Sequence, residues 1–385
     1  MAQYQIYAER DATIYEKKKN TNTGIDQILE IVSQKSGSIL DEMYQSGTFN
    51  SRILIDFSGN ELTNLFNDIT SGTIGSTARK FYLNLKSVYA SDNPIAYDIK
   101  AYPVSESWTN GTGNYADDPT TRDGVSWAHR SGFDGAVAWK TGSAHSQGTS
   151  AGREVPTGGG TWITGSGFEA SQSFNYQSSD IRIDVSDIFE KFYENHLNAA
   201  SGIPNHGLII KLPYATEVNG DQNFNLKFFS KDTHTIYAPR LEVLWRDYQI
   251  ADTSLTEVHQ TDNGGPIAYF KNIEEKYPEG SVVQFRVGAR SRFPVKTYST
   301  SSRFTTTQQL SKTSSYAVCD GVTGETILDY DDLYTRISAD SNGSYFNYRM
   351  NALSSERYYK FKIRSKYSDG TIKYFDNGYY FKVVR

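Results

Sequence analysis

Three carboxylates, Asp117, Asp118 and Asp123, stand within the stretch SWTNGTGNYADDPTTRDGVSW, which runs from Ser107 to Trp127 and has an indole near each end. General acid/base catalysis would need two of them at a set separation, in surroundings that drive their pKa values apart. A run of Gly, Asn and Thr offers neither an apolar pocket nor a partner base, so no catalytic residue is expected here. Calcium ligation is chemically easier, because hard oxygen donors are what the stretch contains, and Asp117, Asp118 and Asp123 stand as calcium candidates. Their spacing nevertheless departs from the one-three-five ligand order of a calcium-binding loop. The plainer reading is a polar loop stapled to a β-framework by its two indoles.

Aromatic side chains are the other candidates. Trp108, Tyr115, Trp127, Trp139 and Trp162 lie in or beside loops. Their ring faces would suit stacking on sugars, which makes these five a glycan-binding set; the competing and favoured role for the indoles is to pin their loops to the sandwich. The six histidines, His129, His145, His196, His206, His234 and His259, show no i, i+4 pair, and no cysteine stands near to complete a zinc site. The single cysteine, Cys319, is expected to be a small buried hydrophobe. No nucleophile elbow, phosphate loop or dinucleotide fingerprint occurs, and GREVPTGGG lacks the following Lys-Ser/Thr. No cofactor is expected.

The elements that must position these residues are strands. SRILIDF puts Ile53, Ile55 and Phe57 on one face and Arg52, Leu54 and Asp56 on the other; FYLNLK sets Phe81, Leu83 and Leu85 against Tyr82, Asn84 and Lys86. Such period-two alternation predicts half-buried strands of an antiparallel sandwich. HGLIIKLPY and APRLEVLW add two more, the second led in by Pro239. One helix is predicted, in DVSDIFEKFYENHLNAASG, with Ile188, Phe189, Phe192, Tyr193 and His196 near helical spacing, Ser186 as its cap and Gly202 as its stop. Thr141 to Ser179 is Gly/Ser/Thr-rich and predicts a long excursion, free to order against a neighbour.

A chain of 385 residues suggests two domains, with a boundary after LEVLWRDYQ: residues 1–247, carrying the excursion 141–179, and residues 248–385, led by a linker over 248–265. The second part is again strand-like. In YKFKIRSK, Tyr359, Phe361 and Ile363 face one way and four cations the other, and the turn signals at 368–370 and Asn377-Gly378 predict that the last three strands form a meander. The expected class is therefore all-β: a jelly-roll-like N-terminal sandwich with one short helix, then an Ig-like antiparallel sandwich. A net charge of −5 lacks the basic excess that phosphate backbones require, so nucleic acid is not an expected partner. No window approaches the roughly 18 apolar residues of a membrane span, and the first residues lack a secretory apolar core, which implies synthesis and folding in a cytoplasm. Tyrosine is unusually abundant, 28 residues, which suits sheets and wet interfaces.

Residues 1 to about 247 resemble the DNRLRE domain, a β-sandwich of surface proteins related to carbohydrate-binding modules. The resemblance rests on DATIYEKKKNTNTGIDQILEI, SRILIDF, ESWTNGTGN with TRDGVSWAHR, IRIDVSDIF, NHGLIIKL, FFSKDT and APRLEVLW, in that order. It implies a crossover loop whose tryptophans pack back on the sandwich. Such domains usually follow a secretion signal, and this sequence opens without one. A nearly cysteine-free, tyrosine-rich chain of β-domains looks like a structural protein of a tailed bacteriophage, in the tail, baseplate, neck or fibre apparatus. The expected partners are then other virion proteins and copies of itself. The alternative is an adhesion module that binds host surface glycan, and a polysaccharide-degrading enzyme ranks last.

Overall fold

In a computed structural model, residues 2–35, 48–75, 79–91, 93–132, 135–140, 146–147, 158–175, 179–219, 223–250, 255–259, 261, 264–293, 298 and 307–385 are described. The chain is all-β and divides into two units. One comprises Ile6–Asp68 and Lys80–Glu242; the other comprises Val243–Arg385 together with Met1–Gln5 and Ile69–Arg79. Among the described residues no helix is long and apolar enough to cross a membrane.

The first unit is built on an eight-stranded sheet in the order Ala170–Asn175, Ala96–Pro103, Leu208–Lys211, Thr48–Asp56, Ile28–Lys35, Phe224–Phe229 and Ser87–Ser91, with Arg10–Tyr15 also paired to Thr48–Asp56. In a second sheet of this unit Lys80–Leu85 pairs antiparallel with Ile181–Asp184. Alternation reads correctly in Lys80–Leu85, where Phe81, Leu83 and Leu85 are buried and the intervening residues are not. It fails in Thr48–Asp56. Arg52, Leu54 and Asp56 are as buried as Ile53 and Ile55, so this strand is covered on both faces rather than half-buried. Pro239 does lead into its strand, and its carbonyl accepts a hydrogen bond from the Ala8 N–H at 3.0 Å.

Among the described residues three α-helices stand where one was expected: α1 (Asn60–Thr70), α2 (Ser186–Leu197) and α3 (Tyr214–Asn219). The apolar stripe of α1, Leu62, Leu65, Phe66 and Ile69, is buried, and Phe66 lies 5.5 Å from the Tyr193 ring of α2. In α2, Ile188, Phe189 and Phe192 are buried as the spacing required, whereas His196 is exposed. Ser186 does not cap this helix. It sits inside the first turn, where its hydroxyl bonds Asp184 and accepts from the Phe81 N–H, so it ties helix to sheet. The helix ends at Leu197, ahead of Gly202.

The Gly/Ser excursion is shorter than its composition implied. Residues 141–145, 148–157 and 176–178 lie outside the described residues, but 158–175 belong to the sandwich. Ala170–Asn175 pairs along its whole length with Ala96–Ala101, and Phe174 stacks on Tyr97 at 4.8 Å. Alternate apolar residues in a serine-rich strand were enough to bury one face.

The second unit is a two-sheet sandwich with an aromatic core. Pro266–Phe270, Val282–Ser291, Gly343–Arg349 and Ser338–Asp340 form one sheet; Lys276–Pro278, Tyr380–Val384, Tyr358–Lys366, Ser315–Asp320 and Thr326–Leu328 form the other, with Ile372–Phe375 also on Tyr358–Lys366. Rings from the two sheets meet: Phe285 lies 4.7 Å from Phe361, and Tyr316 stacks on Phe346 at 4.0 Å. Aromatic pairs of this kind contribute about 0.5–1.5 kcal/mol each beyond the area they bury. Cys319 is buried here and unpaired by any disulfide. The last three strands are not a meander. Ile372–Phe375 pairs with Ile363–Lys366, and Tyr380–Lys382 pairs with Tyr358–Lys360, so both return to the same long strand. Within the expected linker 248–265, Val258 is buried and its N–H donates to Gln309 at 3.0 Å.

Candidate functional site: a loop platform held by buried indoles

The second covering of Thr48–Asp56 is the loop system of residues 105–132 and 135–139 with Trp162. Ala12, Ile14, Leu54, Val104, Val125 and Ile209 form one apolar cluster with Tyr102 and with Trp108, Trp127, Trp139 and Trp162. Leu54 is therefore apolar for a reason its own strand does not display. Trp108 and Trp127 are 2% exposed, Trp139 3% and Trp162 6%, so none presents a free ring face. Burying an indole removes roughly 200 Å² from water, about 5 kcal/mol before the entropy of ordering the loop is counted. Two of the indole nitrogens find carbonyl acceptors: Trp108 Nε1 donates to His206 at 2.9 Å, and Trp139 Nε1 to Ser126 at 3.1 Å.

Cations back the indoles. The Arg10 guanidinium lies 4.9 Å from the Trp108 ring centre, donates to the Trp108 carbonyl and pairs with the buried Asp56. The Arg52 guanidinium lies 4.7 Å from Trp127 and 5.2 Å from Trp162. Arg52 also grips Glu217 with two hydrogen bonds, 3.1 and 2.8 Å, and Lys211 Nζ reaches the same carboxylate at 2.8 Å. Burial pushes the Glu217 carboxyl up, but Arg52 and Lys211 together outweigh it and hold it below the ordinary glutamate range. Burial draws Lys211 down to about 8. A buried triad of this kind adds little net stability, yet removing one member strands the others without a partner.

The polar half of the loop closes on one residue that the sequence reading passed over, Asn22. Its side chain is fully buried, and its amide nitrogen donates to the Asn110 carbonyl at 2.7 Å and the Val125 carbonyl at 2.8 Å. Its Oδ1 accepts from the Gly113 N–H at 2.8 Å and the Gly24 N–H at 3.2 Å. Both donors and both acceptor sites of the amide are thus satisfied by backbone. The glycines of NGTGN and RDGV follow from this crowding. Gly111 has φ +79°, and a Cβ there would lie 2.4 Å from Asn22 Oδ1; one on Gly124 would lie 2.5 Å from Asn22 Nδ2.

The structure brings the three candidate aspartates to one loop but gives them separate tasks. Asp123 accepts from the Thr112 N–H at 3.0 Å and the Thr112 hydroxyl at 2.6 Å. Asp117 accepts from the Thr121 hydroxyl at 2.5 Å and the Asn114 N–H at 2.9 Å, and these bonds, the hydroxyl first, hold its carboxyl below the usual range. Asp118 is exposed and precedes Pro119 through a cis peptide. A fourth carboxylate, Asp26, reaches the loop from beneath by accepting from the Tyr115 N–H at 3.1 Å, and burial pushes it up to about 6. Among the described residues no group of three or more His, Cys, Asp or Glu is arranged to hold a metal.

Tyr115 is the one aromatic candidate with an exposed ring, at 40%; Tyr15 lies 4.8 Å from it and the Lys18 ammonium 3.7 Å above it. Beside the loop a shallow cavity of about 220 Å³ is lined by Asn20, Arg122, Ser126, His129 and small residues. His206 adjoins the loop through its carbonyl, which Trp108 Nε1 reaches, and burial lowers its imidazole; His145 lies outside the described residues. No family model matches this chain, and no curated protein matches it in sequence.

Proposed function

We propose that this chain is a non-catalytic structural component of a tailed-bacteriophage particle, made in the host cytoplasm and installed through contacts with other virion proteins and with copies of itself. The observation that carries the reading is the direction in which the loop's functional groups point. Asp117 and Asp123 accept from the loop's own N–H and hydroxyl groups, and the indoles are covered by the sheet. What the molecule offers to a partner is instead exposed tyrosine and aliphatic surface on its strands, among it Tyr89 at 54%, Tyr374 at 61% and Tyr380 at 49%. Tyrosine and arginine enriched on an otherwise polar surface are the composition of protein interfaces. The order of motifs in the first 247 residues supports a DNRLRE-type sandwich as the N-terminal scaffold.

Mass spectrometry of density-purified particles from a host carrying the gene tests this reading, and the chain is expected at stoichiometric abundance. Its absence from particles would refute the role. So would polysaccharide turnover by the pure chain that Asp123→Asn abolishes without unfolding it. One observation favours a second reading, glycan adhesion: the half-open Tyr115 ring beside Lys18. A glycan array on which binding is lost in Tyr115→Ala would promote it.

A further inference from the structure

The outer face of the sheet built on Tyr358–Lys366 has an unusual composition. Along that strand Lys360, Lys362, Arg364 and Lys366 point outward while Tyr359, Phe361 and Ile363 are buried. The flanking strands interleave aromatic and aliphatic groups in register: Tyr374 opposite Arg364, Ile372 opposite Lys366 and Tyr380 opposite Lys360. Those three side chains are 61%, 52% and 49% exposed. Three carboxylates serve the cations: Asp332 takes Arg364 and Lys366, Asp376 takes Lys360 at 2.8 Å and Lys362 only at 4.0 Å, and Glu356 takes Lys382. Five cations thus share three carboxylates on this face, beside side chains that stay largely exposed even though Tyr374 lies 5.6 Å from Tyr330 and the Lys360 ammonium 5.7 Å from Tyr380.

Charge is also divided along the chain. Residues 356–385 carry eight Lys or Arg against three Asp or Glu, whereas residues 1–242 carry twenty against twenty-eight. The acidic balance of the whole protein therefore resides in the N-terminal sandwich, and its C-terminal sheet is the basic counterpart.

We propose that the outer face of the Tyr358–Lys366 sheet docks on the acidic N-terminal sandwich of a second copy of this chain. Complementary charge would guide the approach, and the exposed tyrosines would supply the buried contact. Such an interface joins two different surfaces, so it propagates from copy to copy and yields a ring if the rotation closes or a stack if it does not. The inference deepens the assembly reading by giving it one surface and one partner. Particle mass spectrometry reads that role independently, so the two can fail separately.

Sedimentation velocity of the full chain, at about 0.05 M and about 0.5 M salt, tests it. We expect concentration-dependent association at low salt that weakens about tenfold or more at high salt. Lys362→Glu, which reverses the cation with the most distant carboxylate partner, is expected to weaken it by a similar factor, with circular dichroism unchanged. Tyr374→Ser removes an exposed ring without touching charge; it is expected to weaken association at both salts and takes the place of Lys362→Glu should that variant misfold. A monomer at every concentration in low salt overturns the proposal. Association that neither folded variant shifts overturns the choice of face.

Discussion

Replacing Asn22 with alanine removes a side chain that makes four backbone contacts, three to the loop at Asn110, Gly113 and Val125 and one to Gly24, of which those to Val125, Gly24 and Gly113 are buried. A buried donor or acceptor left without a partner costs about 1–3 kcal/mol. With water re-entering at the less buried Asn110 carbonyl, we expect a total loss of about 3–5 kcal/mol, a large share of the roughly 5–15 kcal/mol that holds a typical domain together. Four of the five tryptophans lie in the loop's cluster, so their emission reports its state directly during urea unfolding. The expected result is a lower midpoint with indole emission already shifted to the red before the main transition. Asn22→Asp separates hydrogen bonding from packing. It keeps the shape and the acceptor but aims anionic oxygen at two carbonyls, so it should cost as much as alanine. A loss below about 1 kcal/mol in both variants, with emission unchanged, would refute the latch.

Two further outcomes follow from the same geometry. Gly111→Ala combines a left-handed backbone with a Cβ 2.4 Å from Asn22 Oδ1 and should cost well over 2 kcal/mol by order of magnitude, whereas Gly135→Ala, at φ +81° with nothing within 4 Å, should cost only about 1 kcal/mol; equal losses in chemical denaturation would show that crowding at Asn22 is not what selects glycine. Burial pushes the Asp11 carboxyl up to about 7, against the pull of the Lys231 N–H at 2.6 Å. The folded state then holds this proton more tightly than the unfolded chain does, so its contribution is complete below about pH 4 and is lost as pH rises through 7. The gap between wild type and Asp11→Asn should accordingly open in the variant's favour by up to roughly 4 kcal/mol over that window, and a gap that closes with rising pH would contradict the assignment.

Strands with one covered face were legible, and those covered on both faces by distant segments were not. Phe81, Leu83 and Leu85 announce their face by alternation alone, as do Tyr359, Phe361 and Ile363. Arg52, Leu54 and Asp56 read as an outward face because nothing local reveals that Val104, Trp108, Val125, Trp127, Trp139 and Trp162 return over this strand. Helix α1 is hidden in the sequence because its Asn, Thr and Asp residues mask an apolar stripe of only four side chains. The indoles drew attention as unusual residues in polar surroundings. Asn22 did not, since asparagine in KKKNTNTG looks like any turn residue, and its four partners are carbonyls and amides of Gly24, Asn110, Gly113 and Val125 that carry no signature of their own. The meander failed because Asn377-Gly378 reads as a reversal, whereas Ile372–Phe375 and Tyr380–Val384 both run antiparallel to Tyr358–Lys366, so the chain keeps one direction past it.

The distance between Asn22 and its partners also limits how such a loop can be inherited or transplanted. Residues 105–132 are not tied by their own bonds alone; the amide that joins Asn110, Gly113 and Val125 is contributed from beyond the strand Arg10–Tyr15, about ninety residues earlier in the chain. A recombination that exchanged this segment alone would deliver a polar ribbon without its keystone. Only exchanges that carry both pieces together would preserve it, so variation here should move in coordinated blocks and not through the piecemeal drift usual for surface loops.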